Sequence, residues 1–293
     1  MIFIIDSGST KCDWIAIDSE TGEPLFEKQR TKGLNPAIIS DTDAFNIIKE
    51  NDIIYDNKLK VSHIYFYGAG CGTEKPSKML KDVLESIFLN ADVVVEEDTY
   101  AAIYATVGIA HRPAVVCILG TGSNCTYYDG EKADQRVISL GYSIMDDASG
   151  NYYGRKLLRD YYFNKMPHNL KLVFKTRYDV NEDAIKNALY KEPNPNAYLA
   201  TFAEFLILNK ESEYIQNVIK EGLREFVENM ILQYAEEIKT VPVHFAGSIA
   251  FFTQREIKEV AQEYGFTVGN FERRPIEGLV KYHAEIARIA SGS

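Results

Sequence analysis

One local pattern occurs twice in this chain of 293 residues and limits what it can fold into. An apolar run at residues 2–5 is followed by Asp-Ser-Gly-Ser-Thr-Lys at 6–11 and by apolar alternation at 14–18. The same order returns at 115–119, where Gly-Thr-Gly-Ser-Asn follows at 120–124. Apolar runs rich in β-branched residues predict buried strands. Each copy therefore predicts two strands joined by a tight turn rich in glycine and hydroxyl groups.

Both turns have the composition of a phosphate-binding loop. Glycine allows the backbone to approach a ligand closely, and successive N–H groups in a turn form a concavity that suits phosphate oxygens. Asp6 ends the first strand and is a candidate ligand for hydrated Mg²⁺, which prefers oxygen donors. One such turn is more often a plain hairpin. The repetition indicates a duplicated architecture and predicts that two facing turns grip a polyphosphate.

Bulk properties exclude several classes of protein. The length suffices for two domains, with the boundary expected as a hinge near residues 105–112. A formal net charge of -10 argues against general affinity for nucleic acid or an anionic membrane. The apolar runs are too short for a membrane helix, and the N-terminus lacks the features of a signal peptide. Four cysteines without Cys-x-x-Cys spacing predict buried, reduced thiols and a cytoplasmic protein. The five histidines lack ligand spacing, so no metal site is predicted from them.

Hydrophobic periodicity predicts an alternation of strands and helices in both halves. In the first half, strands are predicted at 28–31, 61–67 and 93–97, and helices at 43–51, 76–89 and 98–107. In the second half, strands are predicted at 136–140, 241–246 and 266–268, and helices up to 162 and at 181–190, 195–209, 211–238, 248–264 and 275–289.

Five further places are candidates for chemistry, and most of them have a simpler alternative. Asn35 precedes a proline and is typical of a turn, and the glycine-rich loop at 68–72 marks a close approach of the backbone to a ligand or to the next helix. Asp98 occupies a position typical of a helix N-cap, yet a carboxylate at a strand's carboxyl end can also accept a proton from a substrate hydroxyl. Asp146 and Asp147 are expected to be solvated or to cap the following helix. The Gly-Ser pair at 247–248 offers backbone for a flat ring to rest on.

These motifs together resemble the sugar kinase, Hsp70 and actin superfamily. Within it, the chain is most similar to the N-acetylglucosamine kinases and to the BadF/BadG-type ATPases that activate benzoyl-CoA reductase. The resemblance implies an α/β fold of two ribonuclease H-like (actin-like ATPase) domains with mixed sheets and an interdomain cleft. It places one domain at 1–108, with the closing helix 275–293 packing back on it, and the other at 109–274.

The resemblance also implies a role for each matching residue, with ATP and Mg²⁺ as cofactors. Asp98 is implied as the catalytic base, and Asp6 as the residue directed at Mg²⁺. The ATP phosphates would be held by Gly8, Ser9, Thr10, Lys11, Gly120, Thr121, Gly122 and Ser123, and the adenosine by Gly247 and Ser248. The amino-sugar site would be lined by Asn35, Gly70, Cys71, Asp98, Thr121 and Asp146.

One loop departs from the family pattern. The family has Gly-Asp-Glu-Gly-Ser-Gly where this chain has Met-Asp-Asp-Ala-Ser-Gly at 145–150, so two glycines around Asp146 are replaced. The implied function is ATP-dependent phosphorylation of an amino sugar, most closely N-acetylglucosamine. Two alternatives stay open, an ATPase that activates a partner redox enzyme through an iron–sulfur cluster and a weakly catalytic sugar-binding regulator. The expected partner is a small sugar, with neither nucleic acid nor membrane, and a homodimer is an open alternative.

Overall fold

The computed structural model describes residues 1–8 and 11–291. The strands are β1 (Ile2–Ser7), β2 (Lys11–Ile17), β3 (Gln29–Lys32), β4 (His63–Gly68), β5 (Asp92–Glu97), β6 (Ala114–Leu119), β7 (Ser123–Tyr128), β8 (Ala133–Asp134), β9 (Val243–Ala246) and β10 (Val268–Glu272).

Helices connect and cover these strands. They are α1 (Asp41–Lys49), α2 (Asp52–Asp56), α3 (Glu74–Ile87), α4 (Asp98–Val107), α5 (Gly150–Tyr162), α6 (His168–Arg177), α7 (Glu182–Tyr190), α8 (Pro195–Thr201), α9 (Glu204–Leu208), α10 (Glu213–Asn229), α11 (Ser248–Phe252), α12 (Gln254–Tyr264) and α13 (Pro275–Ser291), with 3₁₀ turns at Ile231–Tyr234 and Glu237–Lys239.

The chain forms two compact units. Unit 1 consists of Met1–His111 together with the chain from Arg274 onward, and unit 2 is Arg112–Arg273. The sheet of unit 1 has the strand order β3-β2-β1-β4-β5, in which β1 is antiparallel to β2 and parallel to β4. Residues 2–5 of β1 are buried because helices cover the sheet, as their uninterrupted apolar pattern predicts.

Unit 2 repeats this arrangement. Its sheet has the order β10-β9-β6-β7-β8, with β6 antiparallel to β7 and parallel to β9. Counted from its own first strand, this order is the same as that of unit 1, and the strand–turn–strand pattern of the sequence forms the central hairpin of each sheet. The prediction of an α/β fold with two mixed sheets is confirmed, and each sheet has five strands.

Helix α13 packs in unit 1, although it follows unit 2 in sequence. Tyr67 on β4 and His283 on α13 are joined by a hydrogen bond of 2.9 Å between the phenolic oxygen and Nε2. At Gly278 the helix approaches α4 so closely that an added Cβ would lie 2.6 Å from the Cβ of Ala105. Burial of Leu279 against Ile2 and Ile4 completes this side of the sheet.

The third strand of unit 2 was wrongly placed by the sequence pattern. Residues 136–140 are not a strand, and β8 at Ala133–Asp134 takes that position. The backbone N–H of Arg136 donates to the Tyr234 hydroxyl at 3.0 Å instead of to a neighbouring strand. Ile138 and Leu140, whose alternation suggested a strand, have exposed side chains.

Helix boundaries account for the other differences. The predicted helix at 211–238 ends at Asn229 and continues as 3₁₀ turns, which keep Ile231 and Tyr234 buried. The predicted helices at 195–209 and 248–264 are each divided in two, and α2 and α6 were not predicted. Within the described chain, every helix is too short or too polar to cross a membrane.

The capping alternative, which the sequence left open at two places, is wrong at both. The N-cap of α4 is Glu97 and not Asp98, which is the first helical residue. The N-cap of α5 is Ser149, whose hydroxyl accepts a hydrogen bond from the Tyr152 N–H, so Asp146 and Asp147 do not cap this helix. None of the three carboxylates, Asp98, Asp146 and Asp147, is therefore the N-cap of its helix.

Candidate functional site

In unit 1, three parallel strands end level with one another. The register pairs Ser7 with Gly68 and Gly68 with Glu97, so Asp6 and Asp98 lie at the carboxyl edge of β1 and β5. Open α/β sheets bind ligands at this edge. Burial, followed by the negative charge of the nearby Asp98, raises the pKa of Asp6.

Asp98 has the electrostatic character of a proton acceptor. Burial raises the pKa of its carboxyl group, although the backbone N–H groups of Thr99 and of Asp98 itself donate hydrogen bonds to it. A carboxylate whose charged form is disfavoured binds a proton more readily than a carboxylate in bulk water. The geometry and the raised pKa together suit a general base.

Three of the predicted sugar-site residues lie together beside Asp98. The Oδ1 atom of Asn35 accepts a hydrogen bond from the Ala37 N–H at 3.0 Å. A Cβ added to Gly70, whose φ is +83°, would lie 2.0 Å from this Oδ1, so only glycine fits here. Cys71 is buried, and burial followed by the charges of Asp98 and Glu97 raises the pKa of its thiol to about 12. The structure thus brings Asn35, Gly70 and Cys71 to the same edge as Asp98.

The first hairpin lies at the end of β1. The N–H of Gly8 donates to the carbonyl oxygen of Lys11 at 3.0 Å, which closes the turn. Ser9 and Thr10, predicted to bind phosphate, lie outside the described residues. A Cβ added to Gly8 would meet only the Lys11 carbonyl oxygen, at 3.8 Å, so neither crowding nor a positive φ requires glycine at this position.

Asp6 has the properties of a magnesium ligand. Burial, followed by the charges of Asp98 and Asp13, raises its pKa to about 6, so a divalent cation would relieve an unfavourable negative charge. Among the residues that the structure describes, no cluster of three or more His, Cys, Asp or Glu side chains could hold a metal ion. Water and phosphate oxygens would then fill the other coordination positions of an Mg²⁺ ion at Asp6, and Mg²⁺ prefers such ligands.

The raised pKa of Asp6 predicts a pH-dependent gain in stability for Asp6→Asn. In wild type, the neutral carboxyl is favoured in the fold, so stability is lost as pH rises from about 4 through about 6. We expect Asp6→Asn to raise the free energy of unfolding by up to about 3 kcal/mol at pH 8 without Mg²⁺, and to have little effect at pH 4. Urea denaturation at both pH values measures the difference.

Asp13 supplies a matched control on the paired strand. Burial disfavours its charge, but the hydrogen bond from Arg30 and the charge of Lys28 outweigh this and lower its pKa. Asp13→Asn should therefore reduce stability at pH 8, opposite in sign to Asp6→Asn. Equal behaviour of the two variants, or no gain for Asp6→Asn, would contradict the electrostatic account of Asp6.

In unit 2, the second hairpin is fixed to the start of α5. The N–H of Gly150 donates to the Gly120 carbonyl at 2.7 Å, and the N–H of Asn151 donates to the Thr121 carbonyl at 3.0 Å. The hairpin itself is closed by the Gly120 N–H, which donates to the carbonyl of Gly122 at 2.9 Å. Two of its carbonyl groups are thus held by the helix.

Asp146 lies against this hairpin. The Ser123 N–H donates to its Oδ1 at 3.3 Å, and a Cβ on Gly122 would lie 2.9 Å from its Oδ2. Ala148 has φ +57°, the left-handed region that glycine adopts easily. Ala148 adopts this conformation although the family pattern has glycine at this position, and Asp146 contacts the hairpin.

The predicted adenosine motif also contacts the second hairpin. Gly247 has φ +107°, and a Cβ there would lie 2.4 Å from the carbonyl oxygen of Leu119. The Gly247 N–H donates to the Glu272 carbonyl at 2.9 Å, which ties the junction to β10. Gly247 and Ser248 therefore lie beside the predicted phosphate-binding residues of unit 2.

Sequence reasoning missed Asn151. Its side chain is almost fully buried, and Nδ2 donates to the Thr121 carbonyl at 2.7 Å and to Asp146 Oδ2 at 2.8 Å. One amide group thus holds the hairpin and the carboxylate in register. A polar residue in the first turn of a helix gave no signal, because its two partners lie 5 and 30 positions away in sequence.

Asn151→Ala tests two of the binding roles predicted from the sequence, ATP phosphate at the second hairpin and the sugar at Asp146. Without its two hydrogen bonds, Asp146 and the hairpin are free to shift, so under these predictions KM for ATP and for the sugar should rise together by about 10-fold. Steady-state kinetics measure both. Ser149→Ala is the control, because it removes the cap of the same helix at a cost of about 1 kcal/mol and leaves the Asn151 contacts in place. Equal KM changes in the two variants would show that Asn151 acts only through helix stability.

Comparison with known proteins gives the family. No family model and no curated protein matches the chain. Among solved structures, a "putative N-acetylglucosamine kinase" from Porphyromonas gingivalis is 30% identical, has a TM-score of 0.88, and aligns over 97% of this chain and 99% of its own. The chain belongs to the sugar kinase family.

Two more distant sugar kinase structures show the same fold. A "putative N-acetylglucosamine kinase" from Chromobacterium violaceum has a TM-score of 0.65 at 10% identity and aligns over 96% of this chain and 98% of its own. A ROK family glucokinase from Streptomyces griseus, solved with glucose and AMPPNP, has a TM-score of 0.58 at 16% identity and aligns over 98% and 99%. At these identities the likeness extends to the fold alone.

Proposed function

We propose that this protein transfers the γ-phosphoryl group of ATP to a hydroxyl of an amino sugar, with N-acetylglucosamine as the preferred substrate. The observation that carries the proposal is the position of Asp98. Its carboxyl group has a raised pKa and follows β5, which lies beside β4 in the sheet. Strand β4 leads into the loop where Gly70 meets Asn35, and β1, on the other side of β4, leads into the first hairpin. The 30% identical relative named above supports the choice of sugar.

Asp98 acts as the general base in this proposal. It accepts the proton of the sugar hydroxyl while that oxygen forms a bond to the γ-phosphorus, and the bond from phosphorus to the β-γ bridging oxygen breaks to release ADP. A correctly placed base contributes about 10²–10⁴-fold to the rate. Mg²⁺ bound at Asp6 would supply positive charge to the phosphate oxygens.

Binding is divided among the other residues. The N–H groups of Gly8, Gly120 and Ser123 already donate within the protein. In this proposal the hydroxyls and the other N–H groups of the two hairpins, Gly8–Lys11 and Gly120–Ser123, donate to the ATP phosphates, and donors of this kind stabilise the charge that develops in phosphoryl transfer. Gly247 and Ser248 contact the adenosine. The sugar contacts Asn35, the Gly70–Cys71 loop, Thr121 and Asp146.

The alternative of an iron–sulfur ATPase gains no support from the cysteines. Cys12, Cys71, Cys117 and Cys125 are all buried, and Cys117 and Cys125 contact one another across the hairpin strands, with 3.5 Å between their sulfur atoms. Burial raises the pKa of the Cys117 thiol well above its ordinary value, which disfavours the thiolate that a metal cluster requires. Membership of the BadF/BadG group stays a prediction.

A coupled ADP-release assay tests the proposed function. N-acetylglucosamine, glucosamine, N-acetylmuramic acid, N-acetylmannosamine and glucose are compared at equal concentration, each with Mg-ATP. We expect the highest kcat/KM for N-acetylglucosamine. If none of these sugars increases ADP release above the rate without sugar, while calorimetry detects sugar binding, the regulator alternative replaces the kinase.

A further inference from the structure

A cavity beside the second hairpin extends beyond Ser123 and Asp146, the residues of its lining that already have a role in the proposed function. It lies within unit 2, has a volume of about 360 Å³, and is lined at one end by Ser123 and Asp146. Ligand sites in proteins commonly have volumes of about 300–1,000 Å³, so the cavity is large enough for a substantial chemical group. Its other walls come from the 137–147 segment and from the end of α10 and the turn that follows it.

The sheet order shows which side of the hairpin the cavity occupies. Strands β9 and β7 flank β6 on opposite sides. Gly247, which follows β9, packs on the Leu119 end of the hairpin, whereas the cavity is reached from Ser123, the first residue of β7. The attacking and leaving oxygens of phosphoryl transfer lie roughly in line on opposite sides of the phosphorus. With the nucleoside at Gly247, the cavity is on the side of the acceptor sugar.

The lining residues define the chemistry of the group that fits. Val137, Ile144 and Met230 supply apolar surface, and the amide side chains of Asn229 and Gln233 supply hydrogen-bonding groups. Of the described residues that line the cavity, none is basic, and two are the carboxylates Asp146 and Asp147. A neutral group that combines an amide with an alkyl chain suits this lining, and an anionic group is repelled by it.

We propose that this cavity receives the N-acyl group of the amino sugar and admits neutral acyl chains longer than acetyl. The inference rests on the proposed kinase function and extends it to a substrate class. An acetyl group, with three heavy atoms, fills only a small part of the cavity, so longer chains gain apolar contact with Val137 and Met230. Sugars whose acyl chain ends in a carboxylate are excluded by Asp146 and Asp147.

Three glucosamine derivatives test the inference with the whole protein. N-acetyl-, N-butanoyl- and N-succinylglucosamine are compared by ADP release, the last two having acyl chains of similar length that differ in a terminal carboxylate. We expect kcat/KM for the butanoyl sugar to lie within about 10-fold of that for the acetyl sugar, and for the succinyl sugar to be at least about 100-fold lower.

Two neighbouring residues supply a matched pair of variants. Gln233 and Leu232 both lie in the exposed part of the 3₁₀ turn Ile231–Tyr234, and of the two only Gln233 lines the cavity. Gln233→Trp should lower the butanoyl-to-acetyl ratio of kcat/KM by at least about 10-fold, and Leu232→Trp should leave it unchanged. Val137→Phe fills the cavity from another wall and should act like Gln233→Trp.

The outcomes separate the inference from the function on which it rests. Phosphorylation of the acetyl sugar with rejection of the butanoyl sugar, or an unchanged ratio in both filling variants, overturns the inference and leaves the kinase function intact. Equal use of the butanoyl and succinyl sugars overturns the charge argument. Failure to phosphorylate any of the three overturns the proposed function as well.

Discussion

Asp98→Asn is expected to reduce kcat for sugar phosphorylation by about 10²-fold or more. Asparagine has nearly the same shape but cannot accept the proton of the sugar hydroxyl. The affinity for ATP should be retained, because Asp98 lies in unit 1 at the sheet edge and not in either hairpin. The fold should also be retained, since burial disfavours the charge that the substitution removes. Coupled ADP release gives kcat, and thermal denaturation checks the fold.

Glu96→Gln is the matched control for Asp98→Asn. Glu96 lies two residues earlier, and burial raises its pKa as well. Its carboxylate accepts a hydrogen bond of 3.5 Å from the Tyr104 hydroxyl, and the proposed mechanism gives it no part. We expect nearly unchanged turnover. Full activity of Asp98→Asn would remove Asp98 from the mechanism, and an equal loss in both variants would assign the effect to the general charge of this edge.

Gly247→Ala is expected to weaken ATP binding and destabilise unit 2. A backbone with φ +107° and ψ 162° is one that other residues adopt only at a cost of about 1–3 kcal/mol. The new Cβ would also overlap the Leu119 carbonyl at 2.4 Å, and the Gly120 nitrogen would lie only 3.1 Å away. Because both are backbone atoms of the hairpin, the hairpin must move. KM for ATP should rise at least about 10-fold, as measured by initial rates at saturating sugar.

Gly265→Ala separates backbone strain from displacement of the hairpin. Gly265 also has a positive φ, +76°, at the end of α12, but a Cβ there would meet nothing within 4 Å. This variant should lose about 1 kcal/mol of stability and keep the wild-type KM for ATP. If Gly247→Ala likewise left the KM for ATP unchanged, the junction would not contact the nucleotide site.

The sheets were predictable because their signal is local. The buried runs that became β1 and β6 consist of consecutive apolar residues, and each ends at a glycine-containing turn, so strand and turn are both evident within about ten positions. Gly247 was also identified from its place between a buried strand and a helix. The steric constraint on Gly247 could not be identified from the sequence, because the atoms that would contact a Cβ belong to Leu119 and Gly120, more than 120 positions earlier.

The segment after β7 could not be predicted by such means. Apolar alternation at 136–140 is typical of a strand, yet a hydrogen bond from Arg136 to Tyr234 and a further one from its side chain to the Gln233 carbonyl draw the chain away from the sheet. Asn151 illustrates the same limit, because its importance comes from partners that only the fold brings near. In both cases the structure depends on contacts between segments that are distant in sequence, and local sequence propensity does not predict such contacts.

The place of α13 has a consequence for synthesis on the ribosome. Unit 2 is one continuous segment, Arg112–Arg273, and can fold as soon as it has emerged, as domains generally do during translation. Unit 1 emerges earlier, but the cluster of Ile2, Ile4 and Tyr67, which α4 covers in part through Ala101, is completed only when Leu279 and its neighbours arrive. Throughout the synthesis of unit 2, the nascent chain thus carries an apolar surface that a chaperone can bind, and a chain truncated before Pro275 would keep that surface permanently.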